Sequence, residues 1–500
     1  MNNTLLLIIL NLIGKLFAFG REMIFSYVYG TGPITDAFNT STTAATLIFS
    51  VITYALSKTY IPTYEEIIKK EGEKSGDKFT NNLLNFSLFL STLIMILGLI
   101  FAPSIVKLFA AGYSGEKLKI ATLFMRAIMI TIYPNIYAAI LSAYLQVKGD
   151  FLTPALPFLI LNVILSITIV ISKSNVSIIA IGIFLAYLVQ FVVFPKAIKK
   201  VGFKRGKVKF VYDENIKKIV LLSLPTTFSM AAVYISTIVD QSFASLVASD
   251  GGVSILNYAL KIIRIISSTF IVPFQVTAYP IIGKLVAEGD IKGMKEVTSK
   301  TMVKILILFV PSIIGMMVLS RPIISFVYYR GAFSYQDMIM TSDVLFYYTL
   351  YLIGPAIVDV LYLSFFSHQN TKVPTIISFV QLGINIILDY TLSKAYGLVG
   401  LALATTISQV APIVIAFIIY NKSYGSLNIG YIFKNLIKIL LAGAIIGAFA
   451  NYFYKLRPSN LWLLVTIALT GLIYLLIVYL LKVDELDEIA SAFKLKKKKS

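Results

Sequence analysis

The sequence predicts an all-α polytopic membrane protein of about fourteen transmembrane helices: two parallel six-helix lobes plus two C-terminal helices. Three observations carry that prediction. The chain of 500 residues is 58% hydrophobic and only 14% charged, where soluble domains carry about a quarter charged residues. Its charges cluster and leave apolar runs such as 83–102, 178–194, 437–449 and 461–481, and a helix needs ~20 mostly apolar residues to cross hydrocarbon. One half of the chain also repeats the other.

Taken in order, the first apolar stretch lacks a basic leader region, and Lys15 and Arg21 follow it with no small-residue cleavage site. It reads as an uncleaved first span. The repeat then organises the rest of the chain. Ala102-Pro103 through Gly112 aligns with Arg321-Pro322 through Gly331, and the two prolines stand at the same spacing as the two glycines. Pro134 and Pro355 sit inside equivalent spans at nearly that spacing, and Pro154 and Pro374 open equivalent spans in the same way. The expected division is 1–212 for an N-lobe of spans one to six, 213–434 for a C-lobe of spans seven to twelve, 435–482 for two further spans, and 483–500 for a basic tail. An even number of spans per copy keeps both copies in one orientation, as in parallel-repeat transporters that rock around a central cavity.

The net charge of +20 is topological and gives no reason to expect nucleic acid. Lys69–Lys78, the linker Lys196–Lys209, Lys292–Lys300 and the tail Lys494–Lys499 all fall on one side when spans are counted. The positive-inside rule makes that side the cytoplasm and puts both termini there. The tail can also touch anionic lipid. There is no cysteine and one histidine, His368, which argues against thiol chemistry and histidine metal centres. Non-membrane stretches are too short for a catalytic domain, so no enzyme is expected.

Ionisable groups inside spans are the functional candidates, since each costs ~3 kcal/mol or more at mid-membrane. Lys15, Arg21 and Glu22 lie in the first span, with Lys15 and Glu22 about 20° apart around the helix. Snorkelling at a helix end is the plainer reading. Apolar sequence on both sides of the cluster favours a helix lining a wet cavity. Asp36 reads equally as the N-cap of the second span or as a gating residue. Lys261 and Arg264 share a face of the eighth span. Cations on both lobes suit an anionic head group, which arginine can grip bidentately; a pyrophosphate-linked lipid fits and a cationic drug does not. Asp240 in the seventh span, Asn385 and Asp389 on one face of the eleventh and Thr405 in the twelfth offer hard oxygens that suit Na⁺. Helix capping and interhelical hydrogen bonds explain them nearly as well.

These residues resemble the lipid II flippase family (MurJ/MviN) of the multidrug/oligosaccharidyl-lipid/polysaccharide exporter superfamily. Gly20-Arg21-Glu22, Thr35-Asp36-Ala37-Phe38, Tyr60-Ile61-Pro62, Phe151–Ala155 and Phe366–Pro374 carry the resemblance, along with the span count, the duplicated lobes and the two extra helices. It implies a flippase that moves lipid II across the inner membrane of a bacterium by alternating access, for peptidoglycan synthesis, without chemistry. Its partners would be lipid II or a similar polyprenyl-pyrophosphate glycolipid and membrane lipids, and the chain is expected to act as a monomer. By motif, Lys15, Arg21 and Lys261 look like the family's cavity cations. Asp240, Asn385, Asp389, the carbonyl of Leu401 and Thr405 match in order and spacing a sodium site of some members. The last two helices are expected to offer the lipid tail a groove. The sequence departs from the family where a further arginine commonly lies late in the second span: Thr46–Ser50 and Thr53–Leu56 carry no charge. That leaves a flippase for another polyprenyl-pyrophosphate oligosaccharide as the alternative, ahead of a cation-coupled drug exporter.

Overall fold

A computed structural model describes residues 3–207 and 211–486; among these the fold is all-α, with no strand. Lys209 of the linker and the tail lysines from Lys494 on lie outside the described residues. Packing divides the chain into two compact units, Met1–Ser254 with Arg330–Ser334, and Ile255–Tyr329 with Tyr335–Ser500. The first holds α1 (Asn3–Tyr29), α2 (Pro33–Glu71), α3 (Glu73–Ile100), α4 (Ala102–Phe109), α5 (Gly115–Ile130), α6 (Ile132–Val147), α7 (Leu156–Ile171), α8 (Ser177–Leu188), α9 (Gln190–Lys200) and α10 (Glu214–Val247). The second holds α11 (Gly252–Ala287) from Ile255 on, α12 (Ile291–Val318), α13 (Ser320–Tyr328), α14 (Tyr335–Thr349) and α15 (Ile353–Ser367). It continues with α16 (Lys372–Ser408), α17 (Val410–Tyr424), α18 (Ile429–Leu456) and α19 (Asn460–Leu480).

Among the described residues, ten helical stretches are long and apolar enough to cross a membrane. One of them, Lys372–Tyr424, runs for 53 residues, more than twice the ~20 that a crossing needs. It is interrupted at Gly397, where φ is 62° and ψ −136°, a conformation open to glycine and costly for any residue with a Cβ. α1, α2 and α10, at 27, 39 and 34 residues, are also long enough to cross. Helix lengths therefore accommodate the expected fourteen spans.

The repeated proline–glycine stretch forms the same element twice, a short helix (α4 and α13) with its proline in the first turn, where proline's missing N–H costs nothing. α10 opens the second sequence copy, at 213, yet packs on α2 of the first copy, so the packing boundary at 254 and the repeat boundary at 212 divide the chain differently. In the second unit α18 lies along α12. Gly443 and Gly447 face Ile314 there with no room for a Cβ, the small-residue contact that lets membrane helices approach closely. α19 adds a hydrogen bond from Tyr474 Oη to the carbonyl of Ile307, 2.7 Å.

The linker after α9 is held by three asparagines of α3. Asn81 donates to the carbonyl of Lys204 (3.0 Å) and accepts from the N–H of Gly206 (2.7 Å). Asn85 donates to the carbonyl of Lys207 (2.9 Å). Asn82 donates to the carbonyl of Val211 and accepts from its N–H, both at 2.7 Å. Arg205 donates to Asn81 and Asn85. A side-chain amide carries both donor and acceptor, so each can pair an extended backbone much as a neighbouring strand would.

Candidate functional site

Asp36 sits in the first turn of α2, whose N-cap is Gly32, so it does not cap its own helix. It is fully buried, and its oxygens serve a distant turn, Gly251–Ser254. Oδ2 accepts from Lys117 Nζ (2.6 Å) and from the N–H of Gly251 (2.8 Å). Oδ1 accepts from the N–H of Ser254 (2.7 Å) and from its hydroxyl. Lys117 also donates to the carbonyl of Ser249 and lies 4.3 Å from the centroid of the Tyr113 ring. A buried charge persists only when paired and hydrogen-bonded, and here both partners are. Lys117 was not legible as a site residue. It stands in a turn, Ser114-Gly115-Glu116-Lys117, that reads as an ordinary solvated helix start.

Further along, α2 and α10 make polar contacts with each other. Gln241 donates to Thr43 Oγ1 (3.0 Å) and Ser50 to Tyr234 Oη (2.6 Å). At the far end Glu66 accepts from Lys70 (3.0 Å) and from Lys218 of α10. Glu66 is solvent-exposed, and the hydrogen bonds from Lys218 and Lys70 hold its carboxyl down at about 2.

Arg21 donates to Glu22 at 2.6 Å, with both side chains largely buried. Its Nε is buried and has no acceptor among the described residues. Arg21 borders a cavity of about 210 Å³ lined by the polar Thr42, Thr46, Ser50, Thr53, Asn135 and Tyr187 and by the apolar Phe38, Phe49, Ile128, Leu165 and Ile183. Hydroxyls thus line the stretch of α2 that has no second arginine. Lys15 is exposed on α1. In the second unit Lys261 Nζ lies 5.4 Å from the centroid of the Tyr258 ring, and Arg264, one turn on, is exposed.

Of the hard-oxygen set, Asp240 belongs to the first unit and the other four residues to the second. Asn385 and Asp389 are buried before the Gly397 interruption of α16. Leu401 and Thr405 follow it, with Thr405 Oγ1 donating to the carbonyl of Leu401 at 3.0 Å. A carboxylate, an amide oxygen, a carbonyl and a hydroxyl fit a hard monovalent cation in kind. Among the described residues no cluster of three or more His, Cys, Asp or Glu offers a multivalent metal site. The second unit also contains an apolar groove of about 540 Å³ with Ile266, Phe270, Leu308, Ile446, Ile467 and Leu475 on its walls, contributed by α11, α12, α18 and α19.

The family model described as lipid II flippase MurJ matches residues 25–472. A probable lipid II flippase MurJ of Buchnera aphidicola is 26% identical over 433 residues, covering 83% of this chain and 81% of that protein. The lipid II flippase MurJ of Thermosipho africanus is 28% identical over 483 residues, covering 95% of each. Among solved structures, a lipid II flippase MurJ in an inward closed conformation superposes with a TM-score of 0.81 at 26% identity, over 96% of this chain and 99% of that one. An inward-facing multidrug MATE transporter of the MOP superfamily shares the fold, with a TM-score of 0.69 at 15% identity over 82% of this chain and 95% of that one. With nine-tenths of its length matched by one family model, the chain belongs to the lipid II flippase MurJ family.

Proposed function

We propose that the protein is a lipid II flippase of the bacterial inner membrane, a transporter and not an enzyme, working as a monomer with both termini in the cytoplasm. The observation that carries the head-group site is Arg21, whose Nε is buried without an acceptor among the described residues, beside a cavity of mixed polar and apolar lining. An unsatisfied buried donor costs about 1–3 kcal/mol, which an anionic oxygen would relieve. Arg21, Lys15, Lys261 and Arg264 supply positive potential for pyrophosphate, Glu22 orients Arg21, and Asp36 controls the outer gate. The apolar groove of the second unit suits the lipid tail. Asp389, Asn385, Leu401 and Thr405, with Asp240, would hold a sodium ion whose charge stabilises the carboxylates. The missing charge at Thr46–Thr53 favours, as a second reading, a related polyprenyl-pyrophosphate glycan.

The test is growth rescue in cells depleted of their own lipid II flippase, together with flipping of labelled lipid II in proteoliposomes. Arg21→Ala is expected to lose both while inserting normally, and Arg21→Lys to recover only in part, since an ammonium cannot fork onto phosphate. Wild-type transport by Arg21→Ala at normal abundance would sink the head-group site. Sodium should raise the melting temperature of wild type but not of Asp389→Asn.

A further inference from the structure

From Val344 to Phe366 the chain carries one charge, Asp359. It lies in α15, within the membrane-crossing stretch Tyr335–Ser367, about 10 Å along the helix axis from Phe366. The repeat places Ala138 or Ala139 at the matching position of the first copy, so the acid belongs to one copy alone. Ionisable groups at such depth are rare and costly.

Among the described residues its carboxyl has one hydrogen bond, donated by Gln275 Nε2 to Oδ2 at 3.2 Å, and no ion pair. None of the charges on the helices packed around it forms an ion pair with it among the described residues. On α12, Lys300 and Lys304 pair with Glu296 and Glu485, and Lys292 and Lys295 stand in its first turns. On α11, Lys284 pairs with Glu288, Lys261 lies by Tyr258 and Arg264 is exposed. Lys372 opens α16 and Lys422 lies in the last turn of α17. Asp389 and Lys394 lie several turns beyond Lys372 on α16. The titratable neighbour that does reach Asp359 is Tyr362, one turn on, whose hydroxyl is bonded to Ser378.

A bare carboxylate with one amide donor in hydrocarbon is far costlier than the neutral acid, which keeps the same bond from Gln275. Gln275 in turn lies between Pro273 and Pro280 of α11. Each proline removes one rung of the helical hydrogen-bond ladder, so α11 bends there at low cost. α11 is also the helix of Lys261 and Arg264.

We propose that Asp359 is a proton-binding site of the transport cycle. It holds its proton while bonded to Gln275. When α11 bends about Pro273 and Pro280, the bond parts, water reaches the carboxyl, the Asp359 O–H bond breaks and the proton passes to water as hydronium; the reverse reloads it. This rests on the transporter reading above and adds a proton to its cycle.

The test uses the full chain in lipid nanodiscs, with infrared difference spectra across a pH jump, and proteoliposomes under an imposed pH gradient. At neutral pH the wild type is expected to show the carbonyl stretch of a protonated carboxyl. Asp359→Asn should lose that band and Asp343→Asn should keep it. Flipping of labelled lipid II by wild type should respond to the gradient, and by Asp359→Asn should not. If Asp359→Asn fails to fold, Asp359→Glu serves, with its band shifted and its gradient response kept. A missing Asp359 band at neutral pH overturns the proposal, as does a wild-type gradient response in Asp359→Asn or an indifferent wild type. Should wild type move no lipid II while the band persists, the lipid II reading fails and the proton site stands.

Discussion

A carboxylate–lysine pair stands at each end of α2 along its seam with α10, Asp36 with Lys117 of α5 and Glu66 with Lys218 of α10, and the two ends could hardly differ more. At one end Asp36 is fully buried and accepts from Lys117 and from three groups of the Gly251–Ser254 turn. At the other, about 45 Å along α2, Glu66 meets Lys218 in solvent. Exposed ion pairs are screened and worth little, whereas separating a buried pair strands two desolvated charges. One seam therefore has a latch at one end and a loose clasp at the other. A transporter that opens first toward the clasp needs to break only the weak contact.

The largest effect should come from the latch. Lys117→Met leaves Asp36 buried without its cation and is expected to cost about 3–5 kcal/mol, read as a lowered melting temperature of the purified protein. Adding Asp36→Asn should recover much of that loss, since the stranded charge is then gone. A single variant as mild as any change at Glu66 would erase the contrast between the ends.

Next come two glycines related by the repeat, both near the latch. A Cβ on Gly331 would overlap the carbonyl of Tyr27, and the residue also has φ of 62°. One on Gly112 would overlap the carbonyl of Ser245, with no positive φ to strain. Gly331→Ala should therefore be the worse of the two by about 1–2 kcal/mol, the cost of a left-handed backbone for an L residue. Equal melting temperatures would show that the backbone relaxes.

The middle of the seam should respond less. Gln241→Leu removes the hydrogen bond to Thr43 and should cost about 0.5–1.5 kcal/mol, measured by the same unfolding assay.

Smallest is the clasp. Glu66→Gln should leave the melting temperature unchanged at physiological salt. Because its carboxyl is held below the ordinary value, its contribution is present above the unfolded carboxylate range and vanishes as pH falls through about 2. Acidification to about pH 4 should thus leave the Glu66–Lys218 contact closed, as zero-length carbodiimide cross-linking of the native Glu66 carboxyl to the Lys218 amine would report.

Much of this was legible beforehand because it follows from local sequence. Apolar length fixed the spans, and proline and glycine spacing exposed the duplication. Lys15, Arg21 and Lys261 stood out as candidates because charge is rare in apolar sequence. Lys117 escaped because its value lies in a partner on another helix, and a lysine in a polar turn carries no sign of burial. Asp36 was half legible: its oxygens do cap backbone N–H groups, but those of a turn far along the chain. Asp359 broke an otherwise apolar stretch and could have been found by the rule that singled out Arg21. The assignment of α10 to the first unit depends on packing, which no repeat boundary reveals.

The asparagines of α3 have a consequence for how the chain could be taken apart. Backbone pairs from Asn81 and Asn85 hold the linker up to Lys207, and those from Asn82 resume at Val211. Both sides of a cut between those residues would remain fastened to the same helix by amide hydrogen bonds. Two fragments expressed separately, 1–207 and 211–500, have a ready-made docking strip through which to reassemble in the membrane, so continuity of the polypeptide here is a convenience of synthesis more than a requirement of architecture.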